Sequence, residues 1–241
     1  MRFSPFEGAT KHFALIRRKN LIQRREFSTA TLGGALTAGL GLSAMPVLAQ
    51  AQAQGFREGG DYLLLAKPAP TEAPAGKVEV VEFFWYGCPH CNSFEPQLDA
   101  WLKTAPKNIA FRRVPVSFRP DFEPNQRLYY SLEAMGKLDE LHKKVFYTIH
   151  IDKQPLNTAA LVTAWAEKQG LDKGKFTEMY NSFSVSTKIR KAVQLQDSYQ
   201  VDGVPALGIA GRYYTSSEQA KTMERALLIT SYLIGLPRKA A

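Results

Sequence analysis

Cysteine is nearly absent from this chain: Cys88 and Cys91 are the only two in 241 residues. No disulfide framework can therefore staple the fold, and a chain of this length can bury a core without one. A structural zinc site would need four ligands, commonly a C-x2-C pair with a second Cys or His pair. No second cysteine pair exists, and His12, His90, His142 and His150 fall at no H-x3–5-H spacing. Basic runs interleaved with aromatics are missing, which argues against nucleic-acid binding. Internal repeats and low-complexity tracts are also missing beyond the N-terminal segment. What remains is ordinary for a globular protein, with 45% hydrophobic and 22% charged residues.

The net charge of +9 is unevenly spread, because residues 1–51 hold seven basic and two acidic side chains and so +5 of the total. Residues 28–48 are small and apolar with no charge, and Ala49-Gln50-Ala51 fits an A-x-A cleavage pattern, with Ala51-Gln52-Ala53 as a rival. This reads as a secretory signal peptide. Gly33, Gly34, Gly39, Gly41 and Pro46 interrupt its apolar stretch, which weakens the alternative of an uncleaved anchor. Arg24-Arg25-Glu26-Phe27 resembles a twin-arginine signal, against the plainer reading of an ordinary basic n-region. No cysteine stands at the cleavage site, so a lipoprotein anchor is excluded. Export places both thiols in an oxidising compartment, which disfavours a cytosolic-type reductant.

The two cysteines sit where a strand meets a helix. Residues 78–84, Val-Glu-Val-Val-Glu-Phe-Phe, read as a buried strand. The chain turns at Gly87 and enters a helix over about residues 92–102, with Pro89 in the first turn, where a missing N–H costs nothing. Thiols three apart at a helix N-terminus lie on one side of the turn, and the free amides there stabilise a thiolate on the first. Three readings compete: half of a zinc site, a structural disulfide, or a catalytic dithiol. A disulfide closing so small a loop would stabilise little. The strand–turn–C-x-x-C–helix order is the geometry that thiol exchange needs.

The remaining segments suggest α/β architecture interrupted by helices. Residues 52–60 are Gln/Gly-rich and expected to be flexible; residues 61–65 read as a short strand, followed by a Pro-rich loop. Residues 109–116 read as another strand with Pro115 near its end, so the strand at 78–84, its helix and this strand suggest a parallel βαβ unit within residues 61–118, the first part of the α/β domain. From residue 119 to 190 the pattern is helical. Leu128, Leu132 and Met135 recur at helical spacing; so do Leu138, Leu141, Val145, Phe146 and Ile149; so do Leu161, Val162 and Trp165; and so do Phe176, Met179, Tyr180 and Phe183. Their aromatic and Met positions read as core. Asn157 or Thr158 is a plausible N-cap and Gly170 a stop. Residues 191–238 read as a returning helix, a loop with Gly203-Val204-Pro205, a hairpin turning at Ala210-Gly211-Arg212, and a last helix. Ser216 with Gln219 predicts a capping box for a helix running on through Met223 to Gly235.

Glu82-Phe83-Phe84, Cys88-Pro89-His90-Cys91, Phe94-Glu95, Asn181-Ser182-Phe183 and Gly203-Val204-Pro205-Ala206-Leu207 together resemble the DsbA family of thiol:disulfide interchange proteins. The resemblance covers about residues 61–236. It implies a thioredoxin fold, with a mixed sheet flanked by helices, carrying an inserted all-helical subdomain. It implies Cys88 as exposed nucleophile, Cys91 as buried partner, and Pro89 and His90 between them. It also implies a cis Pro205 preceded by Val204, whose backbone pairs with an extended peptide beside Cys88. Glu82, Glu95 and Arg113 match partly buried charged groups near the cysteines. Arginine stands where lysine is familiar and does not deprotonate; an ion network and a proton-shuttling role stay open. Gly208, where a larger apolar residue is familiar, and Pro115 are departures that bear on the substrate groove. The implied activity is donation of the Cys88–Cys91 disulfide to reduced, exported proteins through a mixed disulfide. No cofactor or metal is implied beyond that disulfide. A membrane oxidant like DsbB would restore it, and the chain is expected to act as a monomer. A disulfide isomerase or reductase, or a peptide-binding chaperone with an incidental disulfide, are the alternatives.

Overall fold

The strand ahead of the cysteine pair is fully buried along its seven residues. It is β2, Val78–Phe84, and β1 is the two-residue Leu63–Leu64. The computed structural model describes residues 55–237; the leader, its twin-arginine pattern, its cleavage sites and residues 52–54 lie outside the described residues. After β2 come α1 (Pro89–Thr104), β3 (Ile109–Pro115) and a 3-10 turn at Pro120–Phe122. Four helices follow: α2 (Glu123–Ala134), α3 (Leu138–His150), α4 (Ala159–Lys168) and α5 (Lys173–Tyr180). The chain returns through α6 (Phe183–Ser198), β4 (Ala206–Ile209), β5 (Tyr213–Ser216), α7 (Ser217–Ala220) and α8 (Met223–Ile234).

The five strands form one sheet in the order β1-β5-β4-β2-β3. Only the β2–β3 pair is parallel, joined across α1 as a βαβ unit; the other pairs are antiparallel. Strand alternation divides the core. Val78 and Val80 face a layer with Phe94 and Leu98 of α1 and Ile229 and Leu233 of α8. Val81 and Phe83 belong to the other layer, with Leu195 and Tyr199 at the end of α6 and the apolar stripes of α2 to α5.

Local chemistry explains where the elements differ from expectation. Residues 55–60 are not loose: the Phe56 ring packs edge-on to Tyr232, 5.4 Å between centroids, under the Arg225 guanidinium. The strand expected over residues 61–65 shrinks to Leu63–Leu64, paired with Tyr214 and Tyr213; the carbonyl of Asp61 is taken by the Thr215 hydroxyl instead. Thr158 caps α4 and Gly170 follows it at φ +85°. Phe183, placed in the core by its spacing from Phe176 and Tyr180, is 79% exposed. Ser182 caps a new helix there by accepting from the Val185 N–H, so the helical phase restarts and Phe183 turns outward beneath Arg190. The division expected at residue 190 falls inside α6, which runs unbroken. The capping box at Ser216 and Gln219 forms, but Lys221 at φ +72° ends α7, and Thr222 caps α8 afresh. Pro115 ends the edge strand β3, and its carbonyl accepts from Gln126.

Gly208 has a clear reason. A Cβ there would stand 2.5 Å from the ring of Tyr199. That ring is buried, lies edge-on to Phe83 at 5.2 Å, and its hydroxyl accepts from the Gly211 N–H at 3.0 Å. Tyr199 thus fills the space of the missing side chain, so this departure changes core packing and not a surface groove.

Candidate active site

Trp85, Tyr86 and Gly87 turn the chain from β2 into α1. The Trp85 ring stacks on Phe122 at 3.9 Å between centroids. A Cβ at position 87 would meet the Trp85 side chain at 2.3 Å, so the turn admits only glycine. Tyr86 is fully buried, and His150 Nε2 holds its carbonyl at 2.8 Å. Cys88 is the N-cap of α1 with extended backbone, and Pro89 opens the helix.

The Cys88 sulfur meets two backbone partners. The Cys91 N–H donates to Cys88 Sγ at 3.4 Å, and Cys88 Sγ donates to the Val204 carbonyl at 3.5 Å. The Val204–Pro205 peptide bond is cis and leads directly into β4. Both cysteines are free thiols in this structure. Pro89 and His90 are exposed and Cys91 is completely buried, but Cys88, expected to be exposed, is only 7% exposed, tucked between the start of α1 and the Val204 carbonyl.

The two thiols titrate apart. A hydrogen bond from the Cys91 side chain, aided by the Cys91 and His90 amides and by the His90 charge, outweighs burial and brings Cys88 down to about 6. Burial, and after it the neighbouring Cys88, pushes Cys91 well above the usual thiol range. Opening an α-helix on one sulfur while enclosing the other thus separates a nucleophile from its reserve.

Beneath the turn lies a buried charged cluster. Glu82 and Arg113 are register partners on β2 and β3, so their side chains share a face. Arg113 Nε donates to Glu82 Oε2 at 2.9 Å and to Glu95 Oε1 at 3.2 Å, and its Nη2 donates to Glu95 Oε2 at 3.0 Å. Burial, and then the Glu95 charge, push Glu82 up to about 8 against the pull of Arg113. Its Oε1 has no hydrogen-bond partner among protein groups. The structure therefore brings Glu82, Glu95 and Arg113 together, and sets Val204 and Pro205 beside Cys88.

Sequence reasoning weighed His142 only as a zinc ligand. Here its Nε2 lies 3.3 Å from Glu95 Oε1 and its Nδ1 2.8 Å from the Tyr86 hydroxyl. A signal for it existed. Position 142 falls on the buried side of α3, between Leu141 and Val145, and a polar ring enclosed there must find partners. Glu95, Arg113 and His142 line a cavity of about 280 Å³. Among the described residues, no group of three or more His, Cys, Asp or Glu side chains is placed to hold a metal ion.

A profile of the DSBA-like thioredoxin domain family matches residues 79–228. The thiol:disulfide interchange protein DsbA of Burkholderia cepacia is 41% identical over 195 residues, covering 81% of this chain and 91% of that protein. The chain belongs to the DsbA family. DsbA of Bordetella parapertussis is 40% identical over 206 residues, covering 85% of this chain and 96% of that protein. The crystal structure of Pseudomonas aeruginosa DsbA superposes with a TM-score of 0.70 at 37% identity, over 74% of this chain and 93% of that one. The DsbA thioredoxin fold is thus the architecture of this molecule, as its motifs implied, and its enzyme class is the thiol:disulfide oxidoreductases.

Proposed function

We propose that this DsbA-family protein oxidises thiol pairs in exported proteins by giving away its Cys88–Cys91 disulfide. A substrate thiolate attacks Cys88 Sγ, the Cys88–Cys91 bond breaks, and a mixed disulfide forms. A second substrate thiolate then attacks the substrate sulfur of that mixed disulfide. The substrate leaves with a disulfide, and the enzyme keeps both electrons as two reduced cysteines. The observation that carries this reading is the thiol of Cys88, lowered to about 6 by donors converging on its sulfur. At pH 7 such a group is roughly nine-tenths thiolate, so it is a good leaving group in the second step. Whatever stabilises that thiolate stabilises the reduced enzyme and makes the disulfide readily given up.

The remaining roles follow from placement. Val204, whose carbonyl sits 3.5 Å from the nucleophilic sulfur, offers main chain to an extended substrate segment. Pro89 sets the first turn of α1, and His90 adds positive charge beside the thiolate. Glu82 and Glu95, held by Arg113, serve the buried Cys91. The compartment is the periplasm, reached through the N-terminal leader, and the protein works as a monomer without a metal or organic cofactor. A lone dithiol cannot reoxidise itself, so a membrane oxidant like DsbB completes the cycle.

The test is single-turnover oxidation of a dithiol peptide by the oxidised protein. Wild type should convert it stoichiometrically, and Cys88→Ser should do nothing above background. Retained oxidation by Cys88→Ser would overturn the reading.

A further inference from the structure

Cys88 closes a tight turn. Its N–H donates to the Trp85 carbonyl at 3.0 Å, so Trp85 and Cys88 are the ends of a β-turn with Tyr86 and Gly87 at its centre. Neither central residue has a positive φ, which makes the turn type I. The turn frames both sulfurs: it delivers Cys88 to the start of α1, and the backbone of Trp85 is among the groups that favour a Cys91 thiolate.

A type I turn has a near neighbour. Rotating its central peptide plane to face the other way, with the ends fixed, gives type II, which needs a positive φ at the third residue. A Cβ opposes that rotation; glycine does not, and type II turns favour glycine there. In this chain packing forces the glycine, because a Cβ at 87 would meet the Trp85 ring at 2.3 Å. The residue that lets the Trp85 ring lie against the turn therefore also removes the local bar to a flip of the Tyr86–Gly87 peptide.

The bond that opposes the flip comes from the helical insertion. His150, the last residue of α3, sets Nε2 at 2.8 Å from the Tyr86 carbonyl. That carbonyl belongs to the rotating peptide, and a carbonyl only accepts, so Nε2 carries the proton. The imidazole is backed by Phe146, stacked on it at 6.0 Å, and Phe146 in turn stands edge-on to the Tyr86 ring at 5.0 Å. In the flipped turn the carbonyl would face away, and the Gly87 N–H would meet another N–H.

We propose that His150 is a positioning residue for thiol exchange at Cys88. It holds the Tyr86–Gly87 peptide in the type I orientation, and with it the placement of Cys88 Sγ against the Val204 carbonyl and the Cys91 amide. The helical insertion thereby has a direct hold on the catalytic turn. The proposal rests on the oxidase reading above.

The experiment measures the rate of single-turnover dithiol-peptide oxidation together with the NMR signal of the Gly87 amide. His150→Leu removes the donor. The rate should fall about two- to tenfold, the span set by one net hydrogen bond, and the Gly87 amide should broaden or split. His150→Gln carries an N–H near the place of Nε2 and should restore both readouts. Trp85→Ala removes the ring that excludes a side chain at 87. In that background Gly87→Ala biases the turn against a positive φ, so a further His150→Leu should cost no rate, whereas without Gly87→Ala it should still cost rate. An unchanged rate in His150→Leu, a Gly87 amide that neither broadens nor splits, or no recovery in His150→Gln would each overturn the proposal. So would a cost of His150→Leu that is the same with and without Gly87→Ala. Failure of the oxidase reading itself would look different: wild-type protein would leave the peptide reduced.

Discussion

The first turn of α1 and the charged cluster beneath it are built from neighbouring residues of β2 and α1, yet they treat charge in opposite ways. At the turn, N–H and S–H donors converge on the Cys88 sulfur, and Cys88 falls to about 6. Beneath it, burial and the Glu95 charge outweigh the Arg113 guanidinium, and Glu82 rises to about 8. A formal ion pair at 2.9 Å does not ensure an ionised carboxylate. What decides the sign is whether donors to the charged form exceed the loss of water. The upper region favours an anion; the lower one favours a protonated carboxyl.

The sharpest way to break this contrast is to exchange the roles of the sulfurs. Cys88→Ser leaves only a buried thiol of raised pKa, so dithiol oxidation should fall to background. Cys91→Ser leaves the nucleophile without its resolving partner, so mixed disulfides with substrate should accumulate and survive non-reducing electrophoresis. If Cys91→Ser cleared them at the wild-type rate, the division of labour between the two sulfurs would be lost.

Stability against pH probes both regions at once, with opposite signs. Glu82 has a folded value near 8 against an ordinary 4.5. The unfolded chain therefore loses that proton first, and the stability Glu82 contributes, full below about 4.5, is lost as pH rises toward and through 8. Cys88 is lowered from 9.0 to about 6 in the reduced fold. Its contribution is full above about 9 and disappears as pH falls through 6. Urea unfolding of the reduced protein from pH 4.5 to 9 should show Glu82→Gln removing a decline and Cys88→Ser removing a rise. Equal slopes in wild type and Glu82→Gln would mean that Glu82 is ionised throughout.

Much of this was legible in the residue string, and the omissions have physical causes. The strand, the C-x-x-C turn, the hairpin with Pro205 and the family membership rest on short motifs whose chemistry is local. Helical periodicity located α2 to α5, because apolar stripes at 3.6-residue spacing have few other uses. What failed were places where the phase restarts. Ser182 and Thr222 each cap a new helix that the hydrophobic spacing alone joins to its neighbour. His142 was passed over because its partners come from β2–α1 and from α1, 56 and 47 positions away. No pattern within α3 names a carboxylate on another element. Gly208 read as a departure near the substrate because Tyr199, which fills its place, is adjacent only in the folded chain.

Gly208 supplies a control that should leave the contrast intact. Adding a methyl group at 208 sets a Cβ 2.5 Å from a buried ring hydrogen-bonded to Gly211. Overpacking of this kind costs about 1–3 kcal/mol. Gly208→Ala should lose that much in urea unfolding, and much less when Tyr199→Leu has already emptied the space. The Cys88 titration should not follow the lost stability, since neither Gly208 nor Tyr199 is among the groups that set it. A shift in Cys88 with no loss of stability would show that the strand, not the helix terminus, sets the thiol.

The smallest expected effect concerns the residue between the sulfurs. His90 is exposed, and its ring charge ranks last among the causes that lower Cys88, behind the Cys91 side chain and the two amides. The amides belong to the backbone and survive substitution. His90→Ser should therefore raise the Cys88 pKa only slightly, and Cys91→Ala, which removes the donor of first rank, should raise it more. Thiolate absorbance at 240 nm against pH orders the two variants directly. The ranking has a structural basis: water and salt screen an exposed imidazolium, whereas a buried S–H donor meets no competing solvent. If His90→Ser moved the titration further than Cys91→Ala, the upper region would owe its anion to a surface charge, and its contrast with the buried cluster below would be one of exposure alone.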